Sequence, residues 1–231
     1  MKRRNRIIKL INFISFLSFL IGLFYYFQMD IVLETFLINS YKPIVSIKHL
    51  SKSESYNNWN DVELLSLVDV IKARLNNQIR VSGMICIPRI NLNVPISNAT
   101  NNINYTLGAG TLIPTKLDGS RAITLGAHNL DVKSSDALFT PLYYRSKLSD
   151  KVYVSDFKTV AEYSISQKKI IKSTDVKKVL NIRSDQMSLI TCTPDNQNRT
   201  LVTCNLIKTY PFKYRSGKLK SFVDKKYILK D

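Results

Sequence analysis

Histidine is scarce in this chain, with two in 231 residues, and so are cysteine, with three, and glycine, with seven. Each shortage excludes something. Two histidines and scattered cysteines offer no zinc-ligand spacing. Three cysteines cannot all pair, so an exported domain carries at least one unpaired thiol, a flag for reactivity. Seven glycines leave no flexible linker in view, and neither an internal repeat nor a low-complexity tract is visible. Acidic residues are also few: 17 against 34 basic ones, a net charge of +17. That balance points to an anionic neighbour, whether nucleic acid, lipid head groups or an acidic envelope polymer.

The N-terminus narrows the choice. Lys2, Arg3, Arg4, Arg6 and Lys9 precede an uncharged run of 18 residues from Leu10 to Phe27. Its length approaches the roughly 20 residues that span a hydrocarbon core. Tyr25 and Tyr26 stand near its far end, where an aromatic belt belongs. Basic residues ahead of the span hold the N-terminus in the cytoplasm and place the remainder outside. A cleaved signal peptide needs a shorter apolar core and a small-x-small site, which the segment after Phe27 does not offer. The reading is a single-pass cell-membrane protein: a basic cytoplasmic tail at 1–9, a transmembrane signal-anchor at 10–29, an extracytoplasmic linker and N-terminal helix at 30–78, and a domain at 79–231. Setting aside the five basic residues of the tail leaves 29 basic against 17 acidic outside, or +12. Nucleic acid is then excluded as a partner, and membrane lipid or wall polymer remains.

Apolar positions at Val62, Leu65, Val68 and Leu75 predict a helix from Trp59 to Leu75, with Asn60 and Asp61 as cap candidates. From Ile79 onward the pattern is β. "GMICIPRINLNVPI" holds two short strands around Pro88, and "RAITLGAHN" holds one that leads into a loop. "KVYVSDFKTVAEYSISQ" reads as a hairpin that turns at Ser155 to Lys158. "KSTDVKKVLNIRSDQ" is a long polar connection with room for one helical turn, and "SLITC" and "RTLVTCNLI" are two more strands. Many short strands with few helices describe a mainly β barrel or sandwich.

The last two strands sort the cysteines. Paired antiparallel so that Cys192 faces Arg199, they set Cys204 opposite Met187 and on the other face of the sheet. Cys204 then lies five residues from Arg199, roughly 17 Å along the strand. A disulfide from Cys192 is out of reach. Cys192 ends its strand at a loop, where catalytic groups are displayed. Cys204 and Cys86 lie inside strands and read as structural. A nucleophilic thiol needs a base or a positive charge nearby. Arg199 supplies charge. Of the two histidines, His49 lies in the extension, whereas His128 leaves a strand end as Cys192 does.

These residues fall into motifs that resemble those of the sortases, membrane-anchored cysteine transpeptidases of Gram-positive bacteria. "SLITCTPDNQNRTLVTC" resembles the family's T-L-x-T-C motif followed by Arg, and "ITLGAHN" resembles the strand that delivers its histidine. "GMICIPRINLNVPI", "GAGTL" and "DALFTPLYYRSKLSDKVYVSD" match further family patterns, over roughly residues 59–231. Ser188 stands where the motif usually has Thr, and Gly126-Ala127 where Ala-Gly or Ala-Ser is frequent, both small-for-small exchanges.

The resemblance implies an eight-stranded sortase-type β-barrel with short helices behind the N-terminal transmembrane helix. It implies Cys192 as nucleophile, His128 as acid/base and Arg199, with the backbone N–H of Thr193, as oxyanion stabiliser. Ala127, Ile190, Thr191 and Thr193 are candidate substrate contacts. Family members cleave an LPxTG-like sorting signal of a surface protein between Thr and Gly, then pass the acyl group to an amine of a lipid-linked peptidoglycan precursor. No cofactor is implied. Calcium, used by some members around the loop before the Cys strand, fits poorly: Lys172, Lys177, Lys178 and Arg183 outnumber Asp175 and Asp185 there. The absence of an obvious lid resembles class A. The alternatives are a pilus-type (class C) enzyme and an inactive membrane-tethered module that keeps the barrel. An L,D-transpeptidase would show Ser-His-Gly-Cys, which is missing.

Overall fold

The computed structural model describes residues 2–47, 62–76, 79–113, 115–180 and 182–230. His49, Trp59, Asn60 and Asp61, which entered the sequence reading, lie outside the described residues. Eight strands close a barrel: β2 (Gly83–Ile87), β3 (Leu92–Ser97), β4 (Ala109–Thr111), β5 (Ile123–Gly126), β6 (Lys151–Ser155), β7 (Thr159–Lys172), β8 (Gln186–Cys192) and β9 (Asn198–Pro211). Their order around the wall is β2-β3-β4-β5-β8-β9-β7-β6. The barrel and the short helices beside it agree with the fold expected from the sequence.

Local chemistry explains the strand pattern. In β2 all five positions are buried, so "GMICI" shows no polar alternation. Ile85 and Ile87 point into the barrel core, while Met84 and Cys86 pack outward under helix α5 (Gly217–Lys226) with Val223 and Tyr227. A strand covered on both faces can be apolar throughout. Each such Ile stabilises the fold by about 1.5–3 kcal/mol. In β8 and β9 the faces divide the same way. Met187, Leu189, Val202 and Cys204 belong to the barrel core, whereas Ile190 and Leu201 face outward against Leu112 and Val176. The antiparallel register is the one the sequence implied, with Cys192 opposite Arg199 and Met187 opposite Cys204.

The helix expected from Trp59 is observed as α2 (Leu67–Asn76). Residues 62–66 are not helical because Ser66 caps the N-terminus, its hydroxyl accepting from the Asp69 N–H at 3.2 Å and donating to the Asp69 carboxylate at 2.6 Å.

Helix α1 (Lys2–Ser40) contains a segment long and apolar enough to cross a membrane, and the extension after it begins as a continuation of the same helix. Its end is seated on the barrel. Ile38 and Tyr41 join the core cluster. Arg74 donates to the Leu37 carbonyl at 2.7 Å, and Lys226 donates to the Ile38 and Asn39 carbonyls at 3.0 and 3.2 Å. These two cations satisfy carbonyls that a helix terminus leaves without an intrahelical partner, and they complement its dipole. Strand β1 (Ile44–Ser46) then pairs in parallel with β10 (Ile228–Lys230).

Candidate active site

Three adjacent strands end together. β5 runs parallel to β8, pairing Gly126 with Ile190, and β8 runs antiparallel to β9, pairing Cys192 with Arg199. His128 is two residues past Gly126 and Cys192 two past Ile190, so the register puts His128, Cys192 and Arg199 in one row. Opposed residues share a face, and this row takes the outer one.

The strand ends are tied together beyond the last ladder pair. The Ala127 N–H donates to the Ile190 carbonyl at 3.3 Å, the Thr191 hydroxyl to the Ala127 carbonyl at 2.8 Å, and the Asn129 amide to the Cys192 carbonyl at 3.0 Å. On its other side His128 is pinned by Phe139, whose N–H donates to the His128 carbonyl at 3.0 Å. The β8–β9 turn is equally determined. Pro194 occupies the second position of a turn closed by Asn196 N–H to Thr193 carbonyl, 2.8 Å, and Asn196 takes the left-handed conformation at φ 58°. The Asp195 carboxylate accepts from the Thr193 hydroxyl and from the Gln197 N–H.

A cavity of about 560 Å³ opens over this row. Cys192, His128, Arg199, Ala127, Ile190 and Thr191 all contribute to its lining. Thr193 does not: its hydroxyl and its N–H both engage Asn198, the latter at 3.1 Å. The N–H expected to help an oxyanion is therefore already bonded within the turn. Arg199 is partly committed too, its Nη1 donating to the carbonyls of Asn196 and Asn198 at 3.0 and 2.9 Å. Among the described residues its Nε and Nη2 have no such partner.

Burial pushes the Cys192 thiol up, and Arg199 draws it part of the way back. Burial also pushes His128 down to about 4. Its Nε2 is buried without a hydrogen-bond partner among the described residues. The resting pair is thus a neutral thiol beside a neutral imidazole. Cys86 and Cys204, by contrast, are fully buried thiols pushed far up by desolvation, and all three cysteines are free.

Sequence reasoning missed three contributors. Tyr105, on helix α3 (Asn102–Leu107), meets the His128 ring edge to face, with centroids 5.5 Å apart and planes at 87°. A Cβ on Gly126 would collide with the Tyr105 hydroxyl, so the glycine at that position is a matter of space. No local signal marks Tyr105, since its contacts, at Gly126 and His128, lie 21 and 23 residues further along the chain. Val176, from the 3-10 turn at Ser173–Val179, supplies apolar lining with Leu112. Finally, Val62, Glu63 and Leu64 line the cavity as well. Chain ahead of the barrel does reach the site, contrary to the expectation of nothing lid-like there. Among the described residues no group of three His, Cys, Asp or Glu side chains is placed to hold a metal ion.

Known proteins resemble this chain in sequence and fold. The sortase-domain family model matches residues 85–207, more than half of the chain. Sortase A of Listeria monocytogenes is 29% identical over 156 residues, covering 67% of this chain and 68% of that protein. Sortase A of Streptococcus agalactiae is 28% identical over 188 residues, covering 79% and 76%. Among solved structures, that of Listeria monocytogenes sortase A aligns with a TM-score of 0.54 at 27% identity, covering 65% of this chain and 99% of the other. Sortase C-3 of Streptococcus pneumoniae aligns at 0.52 and 19% identity, covering 86% and 89%, a likeness of fold. The chain belongs to the sortase family.

Proposed function

We propose that this sortase cleaves an LPxTG-like sorting signal between Thr and Gly through a thioester on Cys192, and passes the acyl group to an amine of a peptidoglycan precursor. The observation that carries the reading is the common row of His128, Cys192 and Arg199 at the ends of β5, β8 and β9. Proton transfer from Cys192 to His128 gives a thiolate and an imidazolium. The thiolate attacks the Thr carbonyl carbon, and the oxyanion lies against the Nε and Nη2 donors of Arg199. The C–N bond breaks as the imidazolium gives its proton to the leaving glycine amine. The neutral imidazole then takes a proton from the incoming amine as that nitrogen attacks the thioester, and the thiolate leaves. The apolar walls at Leu112, Val176 and Ile190 suit the Leu-Pro portion of the signal. The basic tail supports a cytoplasmic N-terminus and a barrel outside, beside membrane-held substrates.

A fluorogenic LPxTG peptide, assayed with and without an amine acceptor, tests this. Turnover should vanish in Cys192→Ala and persist in Cys204→Ala. Mass spectrometry should trap an acyl group on Cys192, and its appearance elsewhere overturns the assignment. A second reading, a pilus-type enzyme, is favoured by the approach of Val62–Leu64 to the cavity. In that case Leu64→Asp should accelerate peptide cleavage by uncovering the site, whereas a class A enzyme should be unchanged or slowed.

A further inference from the structure

Helix α1 does not stop where a bilayer ends. About 20 residues from Leu10 cross a hydrocarbon core and bring the chain to Met29, yet α1 continues unbroken to Ser40. Past Met29 the helix has two faces. Glu34 and Ile38, one turn apart, are buried toward the barrel, where Arg74 and Lys226 hold the helix end. Val32 and Phe36 are each two residues from Glu34, about 200° round the helix. They are 60% and 64% exposed. Met29, 55% exposed, and Tyr25 continue the same line toward the bilayer. Among the described residues nothing covers this stripe, because the barrel is seated on the opposite face. An exposed apolar face rimmed by polar residues marks a contact.

The spacing names the partner. Tyr25, Met29, Val32 and Phe36 are separated by four, three and four residues, the alternation of a coiled-coil seam. Carried back into the span, the same alternation falls on Gly22, Ser18 and Ser15. The stretch Leu10–Phe27 has no other glycine, alanine, serine or threonine, and all three fall on the one stripe. Inside a bilayer, helices associate by close approach at small residues. Space within the chain does not require a glycine at position 22: a Cβ there would meet nothing within 4 Å. Glycine also weakens a helix interior. The two carboxylates of this part of α1, Asp30 and Glu34, stand off the seam. Water and lipid thus select the same face of one helix.

We propose that α1 pairs in parallel with α1 of a second copy, through a continuous left-handed seam from Ser15 to Phe36, with the two barrels on the outer sides. A second copy is the occupant because it lies in the same bilayer, points the same way and carries the same stripe at the same height. Across two copies the four larger side chains present roughly 800 Å². The seam runs on through the span, which brings the contact toward the roughly 1,200 Å² of a specific interface. The pairing rests on the membrane-anchor reading above.

The test uses the full chain in the membranes of the cells that make it, with Cys192→Ala so that the remaining native thiols, Cys86 and Cys204, are buried. In a parallel seam residue 32 faces residue 32 of the other copy, within disulfide reach. A cysteine is placed on the seam, as Val32→Cys or Phe36→Cys, or off it at a similar height, as Asp30→Cys, and oxidant is added. The seam variants should give a disulfide-linked dimer in about tenfold or more the yield of Asp30→Cys, and Gly22→Leu should lower the Val32→Cys yield about threefold or more. Equal yields on and off the seam mean random collision and overturn the proposal. So does a Val32→Cys chain that stays unlinked, or a yield that Gly22→Leu leaves unchanged. Extraction of the membranes with alkaline carbonate tests anchoring separately: if the chain is released, the anchor reading itself falls, and the pairing with it.

Discussion

At Cys192 and His128 the surroundings work against ionisation on both sides. Removing water raises the thiol and lowers the imidazole to about 4, so the reactive thiolate–imidazolium pair is a minor species at neutral pH. Its share does not change between the two pKa values, because one group loses the proton the other gains. The proposed enzyme's kcat/KM should therefore be flat from about pH 5 upward past the ordinary thiol range, since burial raises Cys192, and fall roughly tenfold per pH unit below the lower limit. A plain rise with pH, measured by stopped assay, would contradict this. The same shift reaches stability. The unfolded chain takes up a proton near pH 6.5 that folded His128 refuses until about 4. Stability is therefore lost as pH falls through that window, by at most about 3 kcal/mol. In His128→Gln the loss between about pH 7.5 and 4.5, read from urea unfolding, should be smaller by about 2 kcal/mol than in the unaltered chain.

Gly126 and Tyr105 show how a strand and a short helix share one space. Gly126→Ala should displace Tyr105, remove the edge contact on His128 and cost about 1–3 kcal/mol. Adding Tyr105→Phe, which removes the hydroxyl the new methyl would strike, should restore part of the stability. If the double variant is no better than the single one, the collision is not with that hydroxyl. Cys204→Ser should cost about 1–3 kcal/mol, because it places a hydroxyl in the barrel core, while activity per folded molecule is kept.

Legibility followed sequence distance. The β8–β9 hairpin could be read because its strands are neighbours and "TPDNQN" is turn chemistry, so Cys192 and Arg199 were found together. The parallel β5–β8 pairing joins residues 64 apart, as at Leu125 and Leu189. No local pattern announces it, and His128 was reached through its strand-end position and the family motif. Helices α3 and α4 (Thr140–Arg145) are six residues each, too short for a 3.6-residue period to emerge. Tyr105, carried on α3, was hidden with it. The commitment of the Thr193 N–H to the turn was equally invisible, because it depends on a backbone bond and not on residue type.

Across the molecule, charge and anchoring come together. The basic excess outside the proposed span favours anionic surroundings. If the N-terminus is cytoplasmic, protease added to intact cells should remove the barrel and leave an N-terminal tag protected, and the reverse pattern would invert the topology. Lys226→Met should remove the hydrogen bonds at the end of α1 and loosen the barrel from its stalk. Hydrogen exchange at residues 37–46 should then quicken while the amides of β8 and β9 stay protected. Equal protection in both forms would mean that apolar packing at Ile38 and Tyr41 is sufficient.

The seat of α1 also has an order in time. The helix is synthesised first, yet the lysine that holds its end comes 188 residues after Ile38, and β1 waits for β10 across a similar span. During translation the anchor can enter the bilayer long before its socket exists. For that interval the emerging barrel hangs from the membrane without a fixed bearing. Completion of α5 and β10 turns the tether into a mount, so these later-made elements determine how the proposed active site is aimed at the membrane.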